Sequence, residues 1–212
     1  MSTPESIEDY YARILAAADH ERRLPVAVEE MPGWDVFPFE LDSLRLKPLQ
    51  PLADVEPARS GEVAAECRCL LPPDPALDDQ IAWSNERWTL TIEPGMKLPL
   101  ALILRPVAHC DLPTVPDRLA EEMGRLVVAI SAGLEALPSV GRAQVAKYGD
   151  GGAHLHLFFF GRPARMLQFR GSPLLDWEEN LPPVPLEVIR ANAEFVAERV
   201  LARVGGLGPR WN

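Results

Sequence analysis

The side chains able to do chemistry fall in a few short stretches. Ala153-His154-Leu155-His156-Leu157-Phe158-Phe159-Phe160 carries two of the chain's four histidines, two residues apart. On a strand, alternate side chains share a face, so His154, His156, Phe158 and Phe160 point one way and Leu155, Leu157 and Phe159 the other. The second set is a core face. The first is an apolar wall with two imidazoles about 7 Å apart, a costly arrangement unless each ring nitrogen finds a partner or a ligand. Imidazole in that setting serves as a metal ligand or a nucleophile, or else as a core histidine with both nitrogens satisfied. The preceding turn, Gly149-Asp150-Gly151-Gly152, lets the backbone approach another group closely and offers N–H donors to an anion. Cys67-Arg68-Cys69 is too tightly spaced for a bridge within the pair but suits a metal; the alternative is two small buried apolar side chains.

Period-two and period-3.6 patterns supply the elements that position these residues. Residues 80–84 and 87–93 flank Asn85-Glu86 as a hairpin, and 98–105 is a third strand with a near-continuous apolar run. Thr114-Val115-Pro116-Asp117 opens a long helix whose Leu119, Met123, Leu126, Ile130, Leu134 and Leu137 recur at steps of three and four before Pro138 stops it. Residues 142–148 and 153–160 complete a mostly antiparallel sheet of about five strands. A further short strand is expected at 166–170. A last helix follows Pro185, with Ile189, Ala193, Val196, Val200 and Val204 as its buried stripe and Gly205-Gly206 as its end. At the other end of the chain, Thr3-Pro4 begins an amphipathic helix to about Leu24, on which His20 is exposed. Short strands are expected at 34–39 and 44–46. Residues 48–61 carry three prolines and no periodicity, and read as a linker. The expected organisation is an N-terminal helical and extended segment with its linker (1–60), an α+β domain (61–170), and a C-terminal loop and helix packed on it (171–212).

His154-Leu155-His156-Leu157-Phe158-Phe159-Phe160 resembles the histidine-triad (HIT) motif, His-φ-His-φ-His-φ-φ with φ apolar. Gly161-Arg162 sits where that family often has Pro-Arg. Upstream, Leu102-Ile103-Leu104-Arg105-Pro106-Val107-Ala108-His109 is similar to the family's apolar strand ending in Pro-x-x-His, so the resemblance spans roughly Cys67 to Arg162. It implies a HIT-like α+β fold, with helical extensions here at both ends. It also implies a nucleotide phosphohydrolase or nucleotidyltransferase in which His156, at the middle triad position, forms a covalent nucleotidyl-histidine. The third triad position holds Phe158, which neither hydrogen-bonds phosphate nor protonates a leaving group. General acid help is typically worth about a hundredfold to ten-thousandfold. The alternative is therefore a zinc-stabilised nucleotide-binding module without catalysis, and a third is a sheet serving protein assembly.

The zinc expectation comes from the same resemblance. Zinc-bearing members and the related galactose-1-phosphate uridylyltransferases hold the metal through positions that map onto His154, His109, Cys67 and Cys69. The departure is Cys-x-Cys where that pattern usually has Cys-x-x-Cys, with Cys110 as a substitute ligand. Phosphate and nucleotide contacts are assigned to Lys147, Gly149, Gly151, Gly152, Arg105, Gln168 and Arg170, with Arg165 as a further donor, and the ribose hydroxyls to Glu93. Triad proteins are commonly homodimers, so the resemblance allows a homodimer, while the sequence leaves the oligomeric state open.

Bulk properties bound the rest. The 212 residues are 47% hydrophobic, enough for a real core, and the 22 prolines point to stiffened connections around it. A net charge of −10 opposes non-specific binding to nucleic acid or to an anionic membrane and still allows a local basic pocket for a small phosphate ligand; the nucleotide or nucleotide conjugate as partner is what the resemblance implies. No leader-like segment and no membrane-length apolar run is present, and three cysteines give no disulfide framework. The expectation is a cytoplasmic protein.

Overall fold

The computed structural model describes residues 16, 18–23, 51–71, 75–171, 174–178, 181 and 183–211. The chain divides into two units, Met1–Glu56 and Pro57–Asn212. In the first, Asp19 closes a turn by accepting from the N–H groups of Glu21 and Arg23 at 2.9 Å each, and His20 is exposed. The expected N-terminal helix otherwise lies outside the described residues, as do the strands expected at 34–39 and 44–46.

The second unit is built on five strands: β1 (Ile81–Ser84), β2 (Trp88–Ile92), β3 (Ala101–Pro106), β4 (Val140–Ala146) and β5 (Leu157–Pro163). Their order is β1-β2-β3-β5-β4, with every neighbouring pair antiparallel. Two 19-residue helices, α1 (Asp117–Glu135) and α2 (Leu186–Val204), carry the apolar stripes expected from their spacing. Both pack on one face of the sheet. There Trp88, Leu90, Ile92, Leu102, Leu104, Leu157 and Phe159 meet Leu126, Ile130, Leu134, Ile189, Val196 and Val200 in the main core. Each such side chain, fully buried, contributes about 1.5–3 kcal/mol relative to exposure. The helices approach closely at Gly133, where a Cβ would stand 3.0 Å from Val196 Cγ1.

The opposite face is covered at one end by a smaller cluster of Leu98, Ala101, Phe160, Phe169 and Leu174. Its other end is open, and the chemistry-bearing residues lie there. At the sheet edge the C-terminal tail pairs with β1, through Leu207 opposite Ser84 and the Arg210 N–H on the Ile81 carbonyl at 3.0 Å. No helix among the described residues is long and apolar enough to cross a membrane.

Two expectations are corrected. β5 starts at Leu157, so His154 and His156 lie in the extended segment just before it rather than on the strand. β3 ends at Pro106, which has no N–H to continue the ladder. The side-chain alternation nevertheless persists: Leu155, Leu157 and Phe159 are buried, whereas His154, His156 and Phe158 are half-buried. The stretch 166–170 is a 3-10 turn, Leu167–Phe169, and not a strand. Arg165 takes φ 62°, turning the chain away from the sheet, and Phe169 then drops into the smaller cluster.

Candidate functional site

Two consecutive 3-10 turns, Ala64–Glu66 and Arg68–Leu70, meet at Cys67, which ends one and begins the other. This hinge brings the Cys67 and Cys69 thiols to 3.2 Å despite their i, i+2 spacing. His154 Nδ1 lies 3.5 Å from Cys67 Sγ, and His109 Nδ1 lies 3.5 Å from Cys69 Sγ. One ligand atom from each of the four residues falls within 4.8 Å of all the others. Ligands at zinc–sulfur and zinc–nitrogen bond lengths on tetrahedral corners stand about 3.3–3.8 Å apart, so the donor set fits zinc.

Hydrogen bonding reinforces that fit. His154 Nε2 lies 2.8 Å from the Pro106 carbonyl oxygen, which can only accept, so Nε2 carries the proton and Nδ1 offers its lone pair to the cluster. Burial keeps His154 below the usual histidine range, favouring the neutral ligand form. Burial and the neighbouring Cys67 push the Cys69 thiol up to about 11, as expected for two metal-free thiols this close. Gly61 packs beneath the cluster at φ 78°, where a Cβ would meet Cys67 Sγ at 3.1 Å. Cys110 stays outside the group; it is buried in the core, and its carbonyl accepts the Leu155 N–H at 2.7 Å.

Beside this cluster the open sheet face forms a cleft of about 700 Å³. The strand register arranges its floor in rows. Thr89 lies opposite Arg105, and the β3–β5 pairing continued by one residue sets Arg105 opposite His156. The next row is Thr91, Ile103, Phe158 and Ala146, and beyond it the Glu93 N–H bonds the Ala101 carbonyl across from Phe160. His156 Nδ1 lies 2.8 Å from the His154 carbonyl oxygen and so donates to it, which in the neutral ring puts the lone pair on Nε2, a nitrogen without a hydrogen-bond partner among the described residues. The acceptor is thus supplied two residues back along the same chain. Phe158 sets its ring edge-on to His156, with centroids 5.4 Å apart, and stacks on Phe160 at 5.5 Å. Leu71, Leu77, Ile81 and Val107 give the cleft an apolar wall.

The 149–152 turn is held over His156 from the other side. Ser60 N–H donates to the Gly151 carbonyl and Ala153 N–H to the Ser60 carbonyl, each at 3.0 Å. Arg59 Nη1 donates both to Asp111 Oδ2 at 2.8 Å and to the Gly149 carbonyl at 3.3 Å. Asp111 also pairs with Lys147 Nζ at 3.2 Å. Burial alone would raise the Asp111 carboxyl, but Arg59, the Leu112 N–H and Lys147 together hold it below its ordinary value. A Cβ on Gly152 would stand 3.5 Å from His156 Cε1, so the turn passes directly above the imidazole.

Of the residues assigned to phosphate or nucleotide contact, Arg105, Glu93 and Gly152 line the cleft with His154 and His156. Lys147, Gly149, Gly151, Arg165 and Arg170 do not. Lys147 is engaged by Asp111, Arg170 Nε donates to the Leu167 carbonyl at 3.1 Å, and Arg165 is exposed. Gln168 lies in the turn Leu167–Phe169. Thr89, Thr91, Ser60, Arg59 and Asp111 enter the arrangement unannounced by the sequence. The two threonines had a usable signal, alternating with Trp88, Leu90 and Ile92 on the hairpin strand.

No protein-family profile matches the chain, and no curated protein matches its sequence. Among solved structures it is similar to a HIT-like protein involved in cell-cycle regulation from Bartonella henselae, at 13% identity and TM-score 0.47, covering 68% of this chain and 99% of that one. A zinc-bound histidine-triad family protein from Mycobacterium smegmatis is similar at 14% identity and TM-score 0.42, covering 58% and 85%. A uridylyltransferase is similar at 15% identity and TM-score 0.42, covering 58% of this chain and 42% of that one. The five-stranded antiparallel sheet with two long helices packed on one face is the α+β architecture expected from the sequence.

Proposed function

We propose that the protein is a nucleotide phosphohydrolase or nucleotidyltransferase acting through His156. The observation that carries this reading is the 2.8 Å bond from His156 Nδ1 to the His154 carbonyl, which leaves Nε2 as the basic nitrogen of a ring lining the cleft. Nε2 attacks the phosphorus of a bound nucleotide. The N–P bond forms as the P–O bond to the leaving group breaks, and water or an acceptor then displaces His156 from phosphorus. The N–H of Gly152 and the guanidinium of Arg105 hold the phosphate oxygens, Glu93 takes ribose hydroxyls, and the base lies on the apolar wall of Leu71, Leu77 and Ile81. Cys67, Cys69, His109 and His154 would hold a structural zinc whose binding energy is folding energy. Nucleotides or nucleotide conjugates are the partners, in the cytoplasm.

Intact-mass measurement after incubation with adenylated or uridylylated donors tests the reading. One nucleotidyl group, labile in acid and absent from His156→Ala, is the expected result. A second reading, a zinc-stabilised nucleotide-binding module, is favoured by Phe158, which supplies no acid to a leaving group. Measurable nucleotide binding with no adduct from any donor makes that reading the better one.

A further inference from the structure

The four metal ligands fall into two halves that the fold holds very differently. His109 follows the end of β3 and His154 precedes the start of β5, with His154 Nε2 fixed on the Pro106 carbonyl at 2.8 Å. Cys67 and Cys69 belong instead to residues 62–71, of which Cys67 is the one buried residue. The two 3-10 turns of this segment bury none of their own residues, and its main-chain bonds join near neighbours, as from the Cys67 N–H to the Ala64 carbonyl at 3.0 Å. A stretch with so little buried surface opens easily. Its thiols reach across to the two imidazoles at 3.5 Å, a weak link beside coordinate bonds to a shared zinc. Cys67 is also what Gly61 packs on, with Sγ 3.1 Å from where a Cβ would stand. Just before Gly61, Ser60 pairs with Gly152 as a parallel bridge, and Arg59 reaches Asp111 and the Gly149 carbonyl. Ser60, Cys67, Arg68, Cys69 and Leu71 all line the cleft. One continuous stretch, 59–71, thus bears the thiol ligands, supports the turn above His156 and walls the cleft.

We infer that residues 59–71 are a wall latched by the metal: coordination by Cys67 and Cys69 docks the segment and, through Gly61, Ser60 and Arg59, sets the 149–152 turn over His156, so that the cleft takes a nucleotide only when the metal is bound. The inference goes beyond the His156 reading and needs no chemistry at that residue. The side that receives the segment is rigid without it, because Asp111 is fixed by the Leu112 N–H at 2.7 Å and by Lys147 at 3.2 Å, neither of them in the segment. Released from the metal, the segment withdraws the two Ser60 main-chain bonds from Gly151 and Ala153 and the Arg59 bond from Gly149. The turn then rises from the imidazole and one wall of the cleft is lost. Linkage makes the effect reciprocal: a nucleotide that binds the closed cleft tightens the hold on the metal by the same factor.

The experiment compares the full chain loaded with one equivalent of zinc and the same protein stripped by a chelator. Amides of 60–71 and 149–153 should exchange about tenfold faster in the stripped protein, a factor usual for coupled sites, while β3 and α1 keep their protection. Equal exchange in the two forms overturns the inference, and so does loss of protection through β3 and α1, since the metal then holds the whole domain rather than this wall. By calorimetry, AMP or UMP should bind the stripped protein about tenfold more weakly, and equal affinity overturns the link to the cleft. Ser60→Pro, which removes the N–H that bonds the Gly151 carbonyl and leaves all four ligands in place, should bind zinc with the turn no longer protected; the milder Arg59→Ala should lose part of the protection. Zinc that protects the turn as fully in both variants as in the wild type overturns the route through 59–61. If neither nucleotide binds either form, the nucleotide reading fails and the exchange comparison decides the latch by itself. An intact latch with no adduct from any donor is a failure of the His156 reading alone.

Discussion

His154 Nε2 and the Pro106 carbonyl oxygen, 2.8 Å apart, fix which nitrogen of His154 is free. The proline ends β3 and its carbonyl accepts from Nε2, so the imidazole turns its Nδ1 lone pair toward Cys67. A ring oriented this way before any metal arrives loses little freedom on binding one.

Purified protein should carry about one zinc per chain, measured by elemental analysis. Cys67→Ser should leave metal content well below that of the wild type and lower the Tm, because a ligand that binds only the folded state stabilises it. Metal-free protein with unchanged Tm would count against the site.

Phe158→His places an imidazole on the row next to His156, where the two rings already lie 5.4 Å apart. If the acid alone is missing, turnover of nucleotide phosphoramidates should rise by about a hundredfold, the lower end of general acid effects. Unchanged turnover with intact nucleotide binding would place the defect in the 149–152 turn instead.

Glu122 accepts from Arg87 Nε at 2.6 Å, Asn85 Nδ2 at 2.9 Å and Trp88 Nε1 at 3.2 Å, tying α1 to the β1–β2 turn. The Arg87 guanidinium holds the Glu122 carboxyl below the ordinary carboxylate range. A folded-state value lower than the unfolded one contributes stability that is complete above the unfolded value and is lost as pH falls through the folded one. The Tm should therefore drop between about pH 7 and about pH 3, and by less in Glu122→Gln, which has no proton to gain there. Parallel Tm profiles for the two proteins would rule this contribution out.

Gly133→Ala forces a methyl against Val196 Cγ1, 3.0 Å from where its Cβ would sit. Overpacking at such a helix crossing costs about 1–3 kcal/mol. For a unit of this size, that is a Tm loss on the order of 5 °C by calorimetry. Gly133→Ala combined with Val196→Ala should recover part of it, and an unshifted single variant would mean that the helices separate freely.

Arg59→Ala removes the link from Asp111 to the Gly149 carbonyl without touching the cleft lining. Hydrogen exchange of the 149–153 amides should accelerate while exchange in β3 stays unchanged. Equal protection in both proteins would show that the Ser60 bridge alone holds the turn.

The long helices, the hairpin and the alternation through Phe159 were legible because each writes its own period into neighbouring residues. The segment 57–61 was not. It closes the stretch 48–61, whose three prolines and lack of period made it read as a linker, yet Arg59, Ser60 and Gly61 form a rim of the site through partners as far as 90 residues away. Periodicity reports which face of an element is buried and is silent about contacts between irregular segments. The start of β5 and the 3-10 turn at Leu167–Phe169 were misplaced for a related reason: Pro106 and the φ of Arg165 decide them, and neither lies within the strand pattern itself.

The Cys–His cluster joins residues 40 and 87 positions apart. A ribosome adding about 5–20 residues per second releases the two cysteines roughly 4 to 17 seconds before His154. For roughly the first 2 to 8 seconds, until His109 follows, the nascent chain holds two neighbouring thiols without either imidazole partner. In that interval they can be oxidised or take up a soft metal on their own.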